Sequence, residues 1–223
     1  GVLALLAPVV SQQNPYQLAE INVIDAVLSP GSRGMDGTLY PLGTDAQGRD
    51  MFSAILYGLR TSISVGLLSV LIAMSIGTII GLAAGYFGGR IDGLIMRIVD
   101  VQLSFPALLI GLVVVSVLGS GRMNLILALV VVQWAYFART ARASALIERE
   151  KEYLVAARCL ELGTWRTIIR HLLPNCLPPT LVVAMIATAS AISLEATLSF
   201  LGIGLPVTEP SLGMLISGGF EWL

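Results

Sequence analysis

Few residues in this chain are equipped for chemistry, and their spacing excludes most of it. The one histidine, His171, and the two cysteines, Cys159 and Cys176, are too few and too scattered for a zinc site or a Cys/His nucleophile pair. The one lysine, Lys151, stands between Glu150 and Glu152, so there is no Gly-x-x-x-x-Gly-Lys-Ser/Thr phosphate loop and this chain supplies no ATP chemistry itself. His171 reads as a helix-surface residue, and both cysteines read as free thiols on a reducing, cytoplasmic side. Two features remain. Glu195 is the acidic residue well inside an apolar run, where a carboxylate points to a translocation-path or gate role, or to capping of the turn that follows. The stretch KEYLVAARCLELGTWRTIIRHLLPN, residues 151–175, is amphipathic and basic in an otherwise greasy chain.

The elements that position these residues must lie in a bilayer. Of 223 residues, 56% are hydrophobic and 12% charged, against roughly 25% charged in soluble domains, and the mean hydropathy is +0.85. The formal net charge of −1 carries no nucleic-acid footprint. Residues 1–10 read as the end of a first span that starts before Gly1, and the proline- and glycine-punctuated residues 11–58 as an external loop. Residues 61–88, 98–119 and 123–144 are long enough to cross, as are 176–198. Residues 199–223 read as an external loop and the start of a last span. The chain is thus expected to be part of a longer one with about six spans, an all-α polytopic transmembrane bundle.

Arginine and lysine set the orientation. Arg90, Arg97, Arg139, Arg142, Arg149, Lys151, Arg158, Arg166 and Arg170 fall on one side of the spans, and Arg33, Arg49, Arg60 and Arg122 on the other. The richer side is cytoplasmic by the positive-inside rule. The opening stretch is therefore inside, and the 11–58 loop outside.

Within 150–174, apolar residues recur at Leu154, Val155, Leu162, Trp165, Ile168, Ile169, Leu172 and Leu173, with Arg158, Arg166 and Arg170 on the remaining face. Gly163 interrupts this pattern and Pro174 closes it, which predicts two short helices joined by a bend. Such a segment either lies on anionic lipid or docks on a cytoplasmic protein.

VAARCLELGTWRTIIRHLLPN resembles the coupling loop of bacterial ABC importer permeases, whose pattern is Glu-Ala-Ala, a Gly four residues after the second Ala, and a later Ile-x-Leu-Pro. Three further stretches carry the resemblance: LGTDAQGRDMFSAILYGLRTSISVG, GYFGGRIDGLIMRIVD, and LSFLGIG followed by EPSLGMLIS. Together they are similar to the second permease of the dipeptide, oligopeptide and nickel importer group over nearly the whole chain. Two positions depart from the pattern, with Val155 in place of Glu and Glu161 in place of Gly, so that the bend moves to Gly163.

The resemblance implies a type I ABC importer permease fold in the bacterial inner membrane. It also implies a non-enzymatic role, with ATP and Mg on two partner ATPases, a homologous second permease, an external substrate-binding protein, and lipid around them. The ATPase-coupling residues it implies are Val155, Ala156, Ala157, Arg158, Glu161, Leu162, Gly163, Trp165 and Pro174, and a β-branched residue at Gly163 is expected to block transport. Short peptides are the first choice of substrate, and nickel or a metal chelate the alternative. A secondary transporter would need ionisable groups at mid-membrane, which these spans nearly lack, and a scaffold would not require the coupling segment.

Three other features bear on positioning. Gly77, Gly81 and Gly85 form a small-residue face for close helix approach, either within the chain or as a pore-lining or partner-facing seam. Pro106 predicts a kink within the 98–119 span, as a gate or a static bend. The turn formers of GTDAQGRD, residues 43–50, predict a structural role in the outer loop, or the segment contacts the substrate-binding protein that the resemblance implies.

Overall fold

The computed structural model describes residues 6–15, 17, 21–206, 209 and 211–220, with the side chain of Arg158 also outside the described part. Its elements are α1 (Ala7–Val10), β1 (Ser32–Arg33), β2 (Leu39–Tyr40), α2 (Met51–Phe87), α3 (Gly89–Leu103), α4 (Ala107–Leu118) and α5 (Arg122–Glu148). They continue with α6 (Glu152–Cys159), α7 (Thr164–Thr167), α8 (Leu173–Phe200) and α9 (Leu212–Phe220). Among the described residues, three helices are long and apolar enough to cross a membrane: α2, α5, and the run Thr164–Phe200 that contains α7 and α8. The pair α3 and α4 makes a fourth crossing if its two halves count as one. Of the expected first span, residues 1–5 lie outside the described residues.

The chain falls into two compact units. The first comprises residues up to Val65, Val115–Leu125 and Ile192 onward. Its segment 21–53 is folded around the buried carboxylates of Asp25 and Asp50. Asp25, 2% exposed, accepts from Asn22 Nδ2 and from the Met35 backbone N–H, both at 3.0 Å. The latter bond ties it to the short β1–β2 hairpin, paired Ser32 with Tyr40. The GTDAQGRD stretch is tied into this fold by its own side chains. Thr44 Oγ1 accepts from the Leu28 N–H at 2.8 Å, and Asp45 Oδ1 accepts from the backbone N–H groups of Gln47 (2.8 Å) and Arg49 (2.9 Å).

Asp50 starts α2 ten residues before the expected boundary at residue 61. Its carboxylate accepts from the N–H groups of Phe52 (3.3 Å) and Ser53 (3.0 Å), satisfying first-turn donors that otherwise have no partner. Arg60 and Thr61 made the polar boundary legible in the sequence, but a helix passes through both without a break.

The second unit comprises Gly66–Val114 and Ile126–Ala191. Its seam is the glycine face. A Cβ on Gly77 would lie 2.6 Å from Phe137 Cβ, one on Gly81 2.9 Å from both Ala138 C and Ala141 Cβ, and one on Gly85 2.6 Å from Ala145 Cβ. The small-residue stripe therefore packs α2 against α5 inside this chain. Helix α3 is held to α5 by polar clasps. Arg142 donates from Nε and Nη2 to the two Asp92 oxygens at 2.5 and 2.6 Å, Arg139 pairs with Asp100, and Trp134 Nε1 donates to Gln102 Oε1 at 2.7 Å.

Three expectations are corrected in this unit. Residues 89–97, between two expected spans, are helical and belong to α3, where Asp92 pairs with Arg142 of α5. The 98–119 span is broken, not kinked. α3 and α4 meet at 91° around Ser104–Pro106, where Ser104 Oγ donates to the Asp100 carbonyl at 2.7 Å and proline cannot continue the ladder. Pro174 does not end the second helix either. The chain runs from α7 through a π turn, Ile168–Leu172, into α8. The wider π turn makes room for a proline ring that would clash in a regular α-helix. Asn175 Nδ2 donates to the His171 carbonyl at 2.7 Å, and Thr180 Oγ1 to the Cys176 carbonyl at 2.7 Å.

Candidate functional site

The 150–174 segment is built on a clasp at Glu148. Lys151 Nζ donates to its Oε1 at 2.7 Å and the Tyr153 hydroxyl to its Oε2 at 2.6 Å, fixing the first turn of α6 to the last turn of α5. Burial, followed by the neighbouring Glu148 carboxylate, holds the Tyr153 hydroxyl well above its ordinary pKa, so it stays a donor across the physiological range. Arg149 donates from Nη1 to the Gly85 carbonyl at 3.2 Å, anchoring the same corner to α2.

The apolar stripe expected to face a partner divides in two. Leu154 and Leu172 are fully buried in a cluster with Leu82, Ala141, Ala145 and Cys176, and Ile168 and Leu173 pack against it. Ala157 is buried as well. This half holds the segment to its own helices, by apolar burial on the order of 1.5–3 kcal/mol for each leucine. Trp165 (74% exposed), Leu160 (73%), Val155 and Ile169 remain on the surface. Leu160 lies off the stripe read from the sequence. Its signal is its place one residue beyond the end of α6, where helical periodicity no longer applies.

Each residue expected at the coupling site has a place in this arrangement. Val155 and Ala156 are exposed on α6, Glu161 is exposed in the bend, Leu162 is half-buried, and Gly163 and Trp165 open the second helix. The side chain of Arg158 lies outside the described residues. Pro174 is exposed at the start of α8, away from the bend.

The bend has not moved to Gly163. Glu161 adopts φ +51°, the left-handed conformation that glycine favours, at the position where the resembled pattern has glycine. Gly163 has φ −55° and ψ 139°, open to any L-residue, with nothing within 4 Å of an added Cβ. The backbone form of the turn is kept while its usual residue is not, at a cost of about 1 kcal/mol. Glu161→Gly is accordingly expected to stabilise the bend by about that amount, and Gly163→Val to be tolerated. Protease nicking between residues 159 and 164, compared across the two variants and the unaltered chain, measures both.

Glu195 sits in the first unit and is fully buried. Its Oε1 accepts from the Ser199 hydroxyl at 2.8 Å, one helical turn on, and its Oε2 has no hydrogen-bond partner among the described residues. Pro106, the other residue expected on the pathway, lies in the second unit at the α3–α4 break and is exposed. Among the described residues no group of three or more His, Cys, Asp or Glu side chains is placed to hold a metal ion.

Residues 77–220 match the family described as the binding-protein-dependent transport system inner membrane component. The chain is 37% identical over 217 residues to the dipeptide transport system permease protein DppC of Haemophilus influenzae, covering 97% of this chain and 72% of that one. It is 35% identical over 221 residues to the di/tripeptide permease DppC of Pseudomonas aeruginosa, covering 99% and 72%. Similarity extends to the glutathione transport system permease protein GsiD of Pectobacterium atrosepticum, 39% identical over 176 residues, covering 79% and 58%.

Proposed function

The chain belongs to the family of inner membrane components of binding-protein-dependent transport systems, and from that premise we propose that it is the peptide-passing permease subunit of an ATP-driven importer. It is a multi-pass inner-membrane protein of the type I permease fold, and a transport permease rather than an enzyme. A homologous second permease completes the pathway, an external binding protein delivers short peptides, and two ATPases with bound ATP and Mg drive the cycle. The peptide, dipeptide and glutathione names of the relatives support peptides over the nickel alternative.

The observation that carries the coupling role is the divided stripe. Leu154 and Leu172 fasten the 150–174 segment to α5 and α2, leaving Val155, Leu160, Trp165 and Ile169 exposed. In the proposed assembly these side chains fill a groove on an ATPase, with Ala156, Arg158, Glu161, Leu162 and Gly163 around them and Pro174 at the rim. A push on α6 passes through the Glu148 clasp to α5, and through Asp92 and Arg142 to α3. Glu195 and Pro106 serve the pathway itself. Uptake of labelled alanyl-alanine by cells carrying the full transport system tests the reading: ATP-dependent accumulation is expected, and accumulation of nickel without the dipeptide would contradict it.

A further inference from the structure

Helix α3 turns two unlike kinds of side chain outward on one face. At about 100° per residue, Val99, Ile95, Met96 and Leu103 fall on the side that packs against Ala135 and Ala138 of α5. Leu94, Ile98 and Val101 fall on the opposite side and are exposed, Leu94 by 66%, and Phe105 extends the run past the end of the helix. Arg90 and Arg97 are exposed on that same side, two turns and about 10 Å apart along the axis. Among the described residues neither arginine makes a salt bridge or a side-chain hydrogen bond. The acidic side chains nearby are already matched, Asp92 by Arg142, Asp100 by Arg139 and Glu150 by Arg149. The face therefore presents two uncompensated positive charges among apolar side chains.

Water suits the arginines but not the apolar residues between them. Acyl chains suit the reverse, and an unpaired charge among them is costly. Only the boundary between lipid headgroups and acyl chains satisfies both. Helix α3 meets α4 at 91°, so the two cannot both run along the bilayer normal. At that boundary the anion within reach of a guanidinium is a lipid phosphate, which its planar fork binds through two parallel hydrogen bonds. A zwitterionic headgroup carries its own cation beside the phosphate, whereas an anionic one leaves its charge for the protein. We propose that the outward face of α3 is a binding site for an anionic phospholipid, with Arg90 and Arg97 holding the headgroup and Leu94, Ile98, Val101 and Phe105 lying along the acyl chains. Because Asp92 and Asp100 clasp the other side of α3 to α5, the bound lipid braces the bent α3–α4 pair against the bundle.

The test uses the transporter purified as the complex it forms in the membrane, titrated in neutral detergent with dioleoylphosphatidylglycerol and dioleoylphosphatidylcholine and read by native mass spectrometry. The phosphatidylglycerol is expected to be held more tightly. Replacing both arginines, Arg90→Gln with Arg97→Gln, should weaken it by roughly thirtyfold and either one alone by roughly fivefold, with phosphatidylcholine unchanged. Arg90→Lys with Arg97→Lys keeps the charges and should keep most of the preference. Inorganic phosphate should not displace the lipid, since it lacks the acyl chains. A second readout places a nitroxide at Leu94→Cys, in a Cys159→Ser background, in vesicles of the two lipids: dissolved oxygen should reach it and water-soluble chromium oxalate should not. Equal affinity for the two lipids, an undiminished affinity in the double glutamine variant, or displacement by inorganic phosphate would each overturn the assignment. So would a label shielded from both reagents, which would put a protein partner on the face, or one open to chromium oxalate, which would put it in water.

Discussion

Replacing Trp165 and Leu160 together with aspartate is expected to abolish dipeptide uptake while the protein still inserts into the membrane at its normal level. Both side chains are nearly three-quarters exposed, and neither belongs to the buried cluster that fastens the segment. Their removal therefore costs the fold little. At an interface a centrally buried aromatic anchor contributes about 2 kcal/mol or more, and two desolvated carboxylates in an apolar groove add to the loss. The expected fall in coupling exceeds a hundredfold. Leu154→Asp makes the informative contrast: it strikes the buried half of the stripe and should reduce the amount of folded protein. The measurement is uptake per molecule of inserted permease, and normal uptake in the double variant would place the contact elsewhere.

The second large effect is expected at Gly81. A Cβ there meets Ala138 C and Ala141 Cβ at 2.9 Å, and the backbone carbonyl of Ala138 closer still. Backbone cannot move aside as a flexible side-chain end can, so Gly81→Leu must separate α2 from α5. The clasps that depend on that seam, Arg149 to the Gly85 carbonyl among them, would go with it. Overpacking of this kind costs at least 1–3 kcal/mol, and full separation of the helices costs more. Gly93→Leu, on α3 with nothing within 4 Å of its added Cβ, is the control. Thermal unfolding in detergent should show a clear drop for Gly81→Leu and near-identity with the unaltered chain for Gly93→Leu; equal behaviour of the two would refute the seam.

The membrane character was legible because it rests on a long-range pattern of apolar residues. What escaped were facts set by contacts distant in the chain. Asp92 and Asp100 face Arg142 and Arg139 about fifty and forty residues on. No local pattern announces such a pairing. Pro106 showed where α3 ends but not that the chain turns by 91° there, because the ring forbids continuation without dictating the new direction. Pro174 gave a stop signal that the π turn beside it cancels.

The two short helices of residues 150–174 were readable, and which of their apolar side chains are covered was only half readable. Periodicity groups Leu154 with Trp165 on one stripe, since it reports which residues share a helical face and not which neighbour covers each of them. The neighbour here is α5, whose Ala141 and Ala145 are small enough to admit Leu154 and Leu172. Glu161 shows the complementary limit. Residue type pointed to Gly163 as the bend, whereas the backbone places the left-handed residue at 161. The geometry of the turn is kept where its usual glycine is absent.

The central claim is that the exposed half of the 150–174 segment docks on a cytoplasmic ATPase, and purification of the full permease pair from membranes in mild detergent tests it most directly. The account predicts that an ATP-hydrolysing subunit is retained with the unaltered chain and is lost from the Trp165→Asp, Leu160→Asp variant. Retention of the ATPase by that variant as fully as by the unaltered chain, or its absence from both, would contradict the account.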